Sequence, residues 1–169
     1  VRVGLAALVL GLAARAAATP VPISDDDDRW RVDLPVGWAE AAPPDGAGGR
    51  VLAAFASGTR RLVVARLRGN TEGASAGKAS FFAGLEEGAR QESPGYQRLS
   101  GERRHTHRKH THPVYDLWYR SDAGVRGVRF VFTRSSAVVA TLSLPGERTV
   151  PKEARRLLES FGKAPSSSP

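Results

Sequence analysis

The sequence predicts an α+β domain: an antiparallel sheet of about six or seven strands flanked by two helices, an α/β/α sandwich. Three observations carry this. Short segments of alternating apolar and polar residues recur between turn-forming clusters. Two stretches place apolar residues at helical spacing instead, one in mid-chain and one near the end. The connections between strands are short, which favours antiparallel pairing over crossovers.

Trp30, Val32 and Leu34 alternate with Arg31 and Asp33, the period-two signature of a half-buried strand. Pro35 and Gly37 end it, and Trp38 follows. Pro43-Pro44-Asp45-Gly46 and Gly48-Gly49 read as a loop. Val51 to Ala56 and Leu62 to Leu67 read as two strands joined by a turn at Ser57-Gly58-Thr59. After a Gly-rich loop, Phe81, Phe82, Leu85 and Ala89 fall at helical spacing within Ala76 to Arg90. Glycines 77, 84 and 88 weaken that helix, so packing must hold it.

Ser93-Pro94-Gly95 breaks the helix. Four strands follow, around Gln97 to His105, Val114 to Arg120, Gly127 to Thr133 and Val138 to Leu144, the last two as a hairpin turning near Ser135-Ser136. In the final helix, about Val150 to Phe161, Ala154, Leu157, Leu158 and Phe161 match the i, i+3, i+4, i+7 template. Thr149 is placed to cap its start, Pro151 lies in its first turn and Gly162 suits its end. Trp30, Phe81, Phe82, Phe130, Phe132 and Phe161 are the expected aromatic core, because each strand and helix has one apolar face to bury.

Outside residues 30–162 the composition changes. Arg2 precedes an apolar run, Val3 to Ala14, that is too short to span a bilayer. Ala16 and Ala18 then form an A-x-A pair. That order predicts a signal peptide over residues 1–18, cleaved after Ala18, and hence export to the periplasm or the exterior with no transmembrane segment in the mature protein. A first residue of Val fits a GTG start translated literally. Residues 19–29 read as an acidic linker, with Asp25 to Asp28 as a self-repelling, solvated run. Calcium is disfavoured there, because calcium loops space their ligands around a glycine turn. Residues 163–169, rich in Ser and Pro, read as a disordered tail.

The 169 residues contain no cysteine, which excludes disulfides, thiolate catalysis, thiolate zinc sites and a lipoprotein anchor. With 41% hydrophobic and 25% charged residues the chain is globular in composition. Its net charge of +8 favours a polyanionic surface as a contact, although the excess of Arg over Lys also fits simple base-composition bias.

The chain resembles the PsbP-like family. The resemblance lies in RWRVDLPVGW (Arg29 to Trp38), in PVYDLWYRS and VRFVFTRSSAVVATLSLPG, and in the closing ARRLLESFG (Ala154 to Gly162). It implies an antiparallel sheet with helices on its faces. Family members include an extrinsic photosystem II subunit, a nuclear-import factor that binds a small GTPase, and many exported bacterial proteins of unknown role; most members act as binding or assembly factors. No motif here fixes a partner, so no functional residue is carried over. The expected role is a non-enzymatic binding or assembly protein of the cell envelope.

All four histidines lie in one segment, His105-Thr106-His107-Arg108-Lys109-His110-Thr111-His112. In a two-residue hairpin His105 would face His112 and His107 would face His110. All four imidazoles would then share one face that suits zinc or copper. Without that turn, His105 and His107 point opposite to His110 and His112. Arg-Lys is a poor turn pair, and Arg103, Arg104, Arg108 and Lys109 repel a cation. A solvated basic loop is therefore the first reading, and a periplasmic metal-binding protein the alternative.

Gly73-Ala74-Ser75-Ala76-Gly77 matches a nucleophile elbow in letters only. Ser75 lies several residues beyond its strand, and the order of acid and histidine is wrong, so Ser75 reads as a helix cap. Asp116, between Tyr115 and Trp118, should be exposed or paired with an arginine. Arg98, Arg103, Arg104, Arg108 and Lys109 could form a basic patch near Tyr96. It lacks the interleaved aromatics of a nucleic-acid site, so no nucleic-acid partner is expected.

Overall fold

The computed structural model describes residues 17–26, 28–45, 49–69, 71, 78–104, 113–133 and 136–164. In chain order these form β1 (Thr19–Ser24), β2 (Arg29–Leu34), β3 (Ala39–Glu40), β4 (Arg50–Ser57), β5 (Arg60–Arg68), α1 (Ala79–Gln91), β6 (Gln97–Arg104), β7 (Val114–Ser121), β8 (Gly124–Phe132), β9 (Ser136–Pro145), α2 (Lys152–Ser160) and β10 (Gly162–Lys163). Seven strands make one antiparallel sheet in the order β3-β4-β5-β9-β8-β7-β6. A second antiparallel sheet has the order β1-β2-β10.

The expected α+β sandwich is therefore present, with apolar residues alternating to two faces of the large sheet. On one face Leu62, Val64, Trp118, Val138, Ala140, Leu142 and Leu144 pack against α2 and the small sheet, around buried Trp30 and Phe161. Those two rings stack with centroids 5.8 Å apart. On the other face Phe82 of α1 packs on Tyr115 at 5.1 Å and on Phe132 at 6.1 Å. Phe81 and Phe130 are half-buried at the edge of this second core rather than inside it. The turn expected at Ser57-Gly58-Thr59 is formed, with Ser57 opposite Arg60 and Gly58 at φ 57°, a value glycine adopts without strain.

Four expectations need correction. The supposed linker begins with strand β1, which pairs with β2 along its full length. Two prolines suit a linker, but β1 is an edge strand, where proline is tolerated. The tail likewise starts inside the fold: Gly162 and Lys163 pair with β2, and the Ala164 N–H donates to the Arg29 carbonyl at 2.9 Å. Helix α1 begins at Ala79 after Lys78, not at residue 76, and Ser75, its expected cap, lies outside the described residues. Helix α2 has Pro151 at its N-cap with no side-chain cap from Thr149, and Gly162 is not left-handed. The end of α2 is satisfied differently. Ser160 Oγ donates to Leu157 O at 2.7 Å, and Arg129 Nη1 to Leu158 O at 3.2 Å.

Candidate functional site: an arginine–aspartate cleft

Among the described residues a cleft of about 710 Å³ opens where the β1–β2 turn meets β4, β5 and the start of β9. Strand register creates an electrostatic problem here. Arg50 on β4 lies opposite Arg66 on β5, and Arg68 follows on the same face, opposite Ser136. Like charges placed directly across a sheet repel. The acidic turn relieves this repulsion. Its backbone is closed by Asp25 N–H to Asp28 O at 3.1 Å, and Asp25 Oδ1 accepts from Asp26 N–H at 2.9 Å.

Asp25, Asp26 and Asp28 then each meet a cation. The Asp25 side chain is 2% exposed and pairs through Oδ2 with Nε and Nη2 of Arg66, itself 16% exposed. Arg66 also donates to Ser136 Oγ at 2.9 Å and approaches Asp28 at 3.5 Å. Asp26 receives a fork from Arg50, with Nη2 3.1 Å from Oδ1. Lys163 Nζ lies 2.7 Å from Asp28 Oδ1. The Lys163 hydrogen bond holds the Asp28 carboxyl below the usual carboxylate range against the opposing effect of burial. The Arg50 hydrogen bond does the same for Asp26. Asp25, Asp26 and Asp28 are therefore paired with cations rather than self-repelling, although Asp26 stays open to solvent. Together they tie the small sheet and the β10 strand to the large sheet.

Asp116 is buried, and its Oδ1 lies 3.6 Å from Nε of buried Arg129, its partner in register across β7 and β8. The expected pairing with an arginine is present; exposure is not. Arg98 is engaged by Glu86 at 3.3 Å, and the Tyr96 hydroxyl donates to the same carboxylate at 3.0 Å. Partial burial, then Glu86, push the Tyr96 phenol well above its ordinary pKa. Arg98 is thus a brace between α1 and β6, while Arg108 and Lys109 lie outside the described residues.

His105, His107, His110 and His112 also lie outside the described residues. The register leading towards them pairs Arg104 with Val114, so His105 against His112 requires a one-residue shift from it. Among the described residues no group of three His, Asp or Glu side chains is placed to hold a metal ion. Nor is any helix there long and apolar enough to cross a membrane.

These two packed sheets and two flanking helices form a PsbP-like fold. The solution structure of cyanobacterial PsbP (CyanoP) from Synechocystis sp. PCC 6803 matches over 91% of this chain and 96% of its own, at a TM-score of 0.58 and 19% identity. A Bacteroides thetaiotaomicron crystal structure matches 82% of this chain and 46% of its own, at a TM-score of 0.42 and 15% identity. A Pseudomonas aeruginosa protein of unknown function, PA94, matches 75% of this chain and 83% of its own, at 0.38 and 16%. No family model matches the chain, and no curated protein matches its sequence.

Proposed function

We propose that this chain is an exported, non-enzymatic protein of the cell envelope that binds or stabilises another envelope component. Support for export comes from the basic residue, apolar run and small-residue exit of residues 1–18. Support for a binding role comes from the PsbP-like fold, since the resemblance implies mostly binding and assembly factors.

The observation that carries the binding role is the chemistry of the arginine–aspartate cleft. Its arginines do not release protons near neutral pH, and Asp26 is held ionised by Arg50. General acid–base catalysis needs a group that titrates near the working pH. Permanently charged groups, anchored by the buried Asp25–Arg66 pair, instead build a charged recognition surface.

Expression of the full chain in a bacterial host, followed by fractionation and N-terminal sequencing, tests export. Processing after Ala18 and recovery from the envelope are expected; an intact N-terminus in the cytoplasm would remove export. Cross-linking in intact cells tests binding. One reproducible envelope partner, lost when cleft residues are substituted, is expected; substrate turnover by the purified protein would overturn the non-enzymatic role.

A further inference from the structure

The cleft holds more positive charge than its own carboxylates neutralise. Arg50, Arg66 and Arg68 line it against Asp25 and Asp26. Arg66 is committed: it is largely buried and fully engaged by Asp25 and Ser136. Arg50 is not. Its side chain is 56% exposed; its nearer partner Asp26 is 71% exposed, and Asp25 Oδ1 stands at the limit of an ion pair, 3.9 Å away. With both side chains that open, solvent and salt screen the Arg50–Asp26 pair, so Asp26 holds Arg50 weakly. Arg68 is exposed and has no ion pair or hydrogen-bond partner among the described residues.

Arg50 and Arg68 are diagonal neighbours on one sheet face, because Arg50 faces Arg66 and Arg68 lies two residues further along β5. Such diagonals are about 7–8 Å apart, within the combined reach of two arginine side chains. A guanidinium presents a planar fork that matches two oxygens of an oxyanion, and two forks can grip different edges of a tetrahedral one.

We infer that this cleft binds an oxyanion of the phosphate class between Arg50 and Arg68, with Asp26 occupying Arg50 until the ligand displaces it. Asp26 is thus an internal stand-in for the ligand. Asp25 does not oppose binding, because it is buried and neutralised by Arg66. A doubly charged phosphate gains more from two arginines than the single carboxylate it replaces. This site requires neither export nor a protein partner, so its test is independent of theirs.

Calorimetry of the full chain with inorganic phosphate reads the site directly. Co-sedimentation with phosphatidylglycerol vesicles, against phosphatidylcholine vesicles, separates a lipid headgroup from the free ion as source. Arg68→Ala should weaken binding by about tenfold or more, the loss of a charge-assisted hydrogen-bonded contact. Arg68→Lys, which keeps the charge but not the fork, should fall between. Asp26→Asn should tighten binding several-fold, because it removes the competitor; a merely structural Asp26 would not do so. Circular dichroism of each variant checks the fold. Vesicle binding that Arg68→Ala abolishes assigns the ion to a headgroup, and phosphate binding without vesicle binding assigns it to the free ion. No binding in either arm, binding unchanged by Arg68→Ala, or binding weakened by Asp26→Asn overturns the site.

Discussion

At the scale of single residues, Asp25 and Arg66 form the least exposed pair in the acidic clamp, at 2% and 16%. Removing one partner of such a pair leaves the other charge desolvated. Asp25→Ala should therefore lower the unfolding free energy by about 3 kcal/mol, the low end for a broken buried pair because Arg66 keeps Ser136 and Asp28 nearby. Chemical denaturation measures this. Acid should act on the same clamp. The Asp28 pKa in the folded protein lies below its ordinary value of 3.8. Its contribution is complete above 3.8 and disappears as pH falls through the lowered folded-state value. The thermal midpoint should hold steady from neutral pH to near 3.8, then fall as pH drops through the folded-state value, and Asp28→Asn should flatten that acid limb. A midpoint with the same pH dependence in both proteins would exclude Asp28 from the clamp. None of these pairings was legible in the sequence. Arg50 and Arg66 lie 24 and 41 residues from the aspartates they hold, and four adjacent carboxylates carry no local sign of distant cations.

At the scale of elements, α2 and the β7–β8 pair are the best tests of packing. Phe161 follows α2, is buried, and stacks on Trp30 of β2. Phe161→Ala should cost roughly 3–5 kcal/mol, read as a shifted denaturation midpoint. Gly127 on β8 faces Trp118 on β7, and a Cβ there would stand 2.5 Å from the indole ring. Gly127→Val should cost about 1–3 kcal/mol through overpacking, with the Trp118 fluorescence displaced because its ring must move. Elements with strong local periodicity were the legible ones. Strand β2 alternates and α2 repeats its apolar residues every three or four positions, so their faces follow from spacing alone, while β4, β5 and β7 to β9 show as apolar runs between turn residues. Strand β1 was hidden by Pro20 and Pro22, which mark a loop unless the strand is known to be an edge. Strands β3 and β10 have two residues each, too few to show a period. The caps of α2 were missed because Arg129 and Ser160 satisfy its carbonyls, one of them from another strand.

At the scale of the molecule, two cores share one large sheet. The small sheet covers one face together with α2, and its turn carries the carboxylates that close the cleft. Strand β1 and the turn after it are therefore part of the folded unit, and the binding surface exists only if they are docked. Two chains, one begun at Ala17 and one at Trp30, compare this directly in a thermal unfolding experiment. Losing β1 and the three-aspartate clamp together should remove several kcal/mol and lower the midpoint by about 10 °C or more, with the transition still cooperative. Equal midpoints would show that residues 17–29 are an appendage and that the arginines of the cleft do not depend on them.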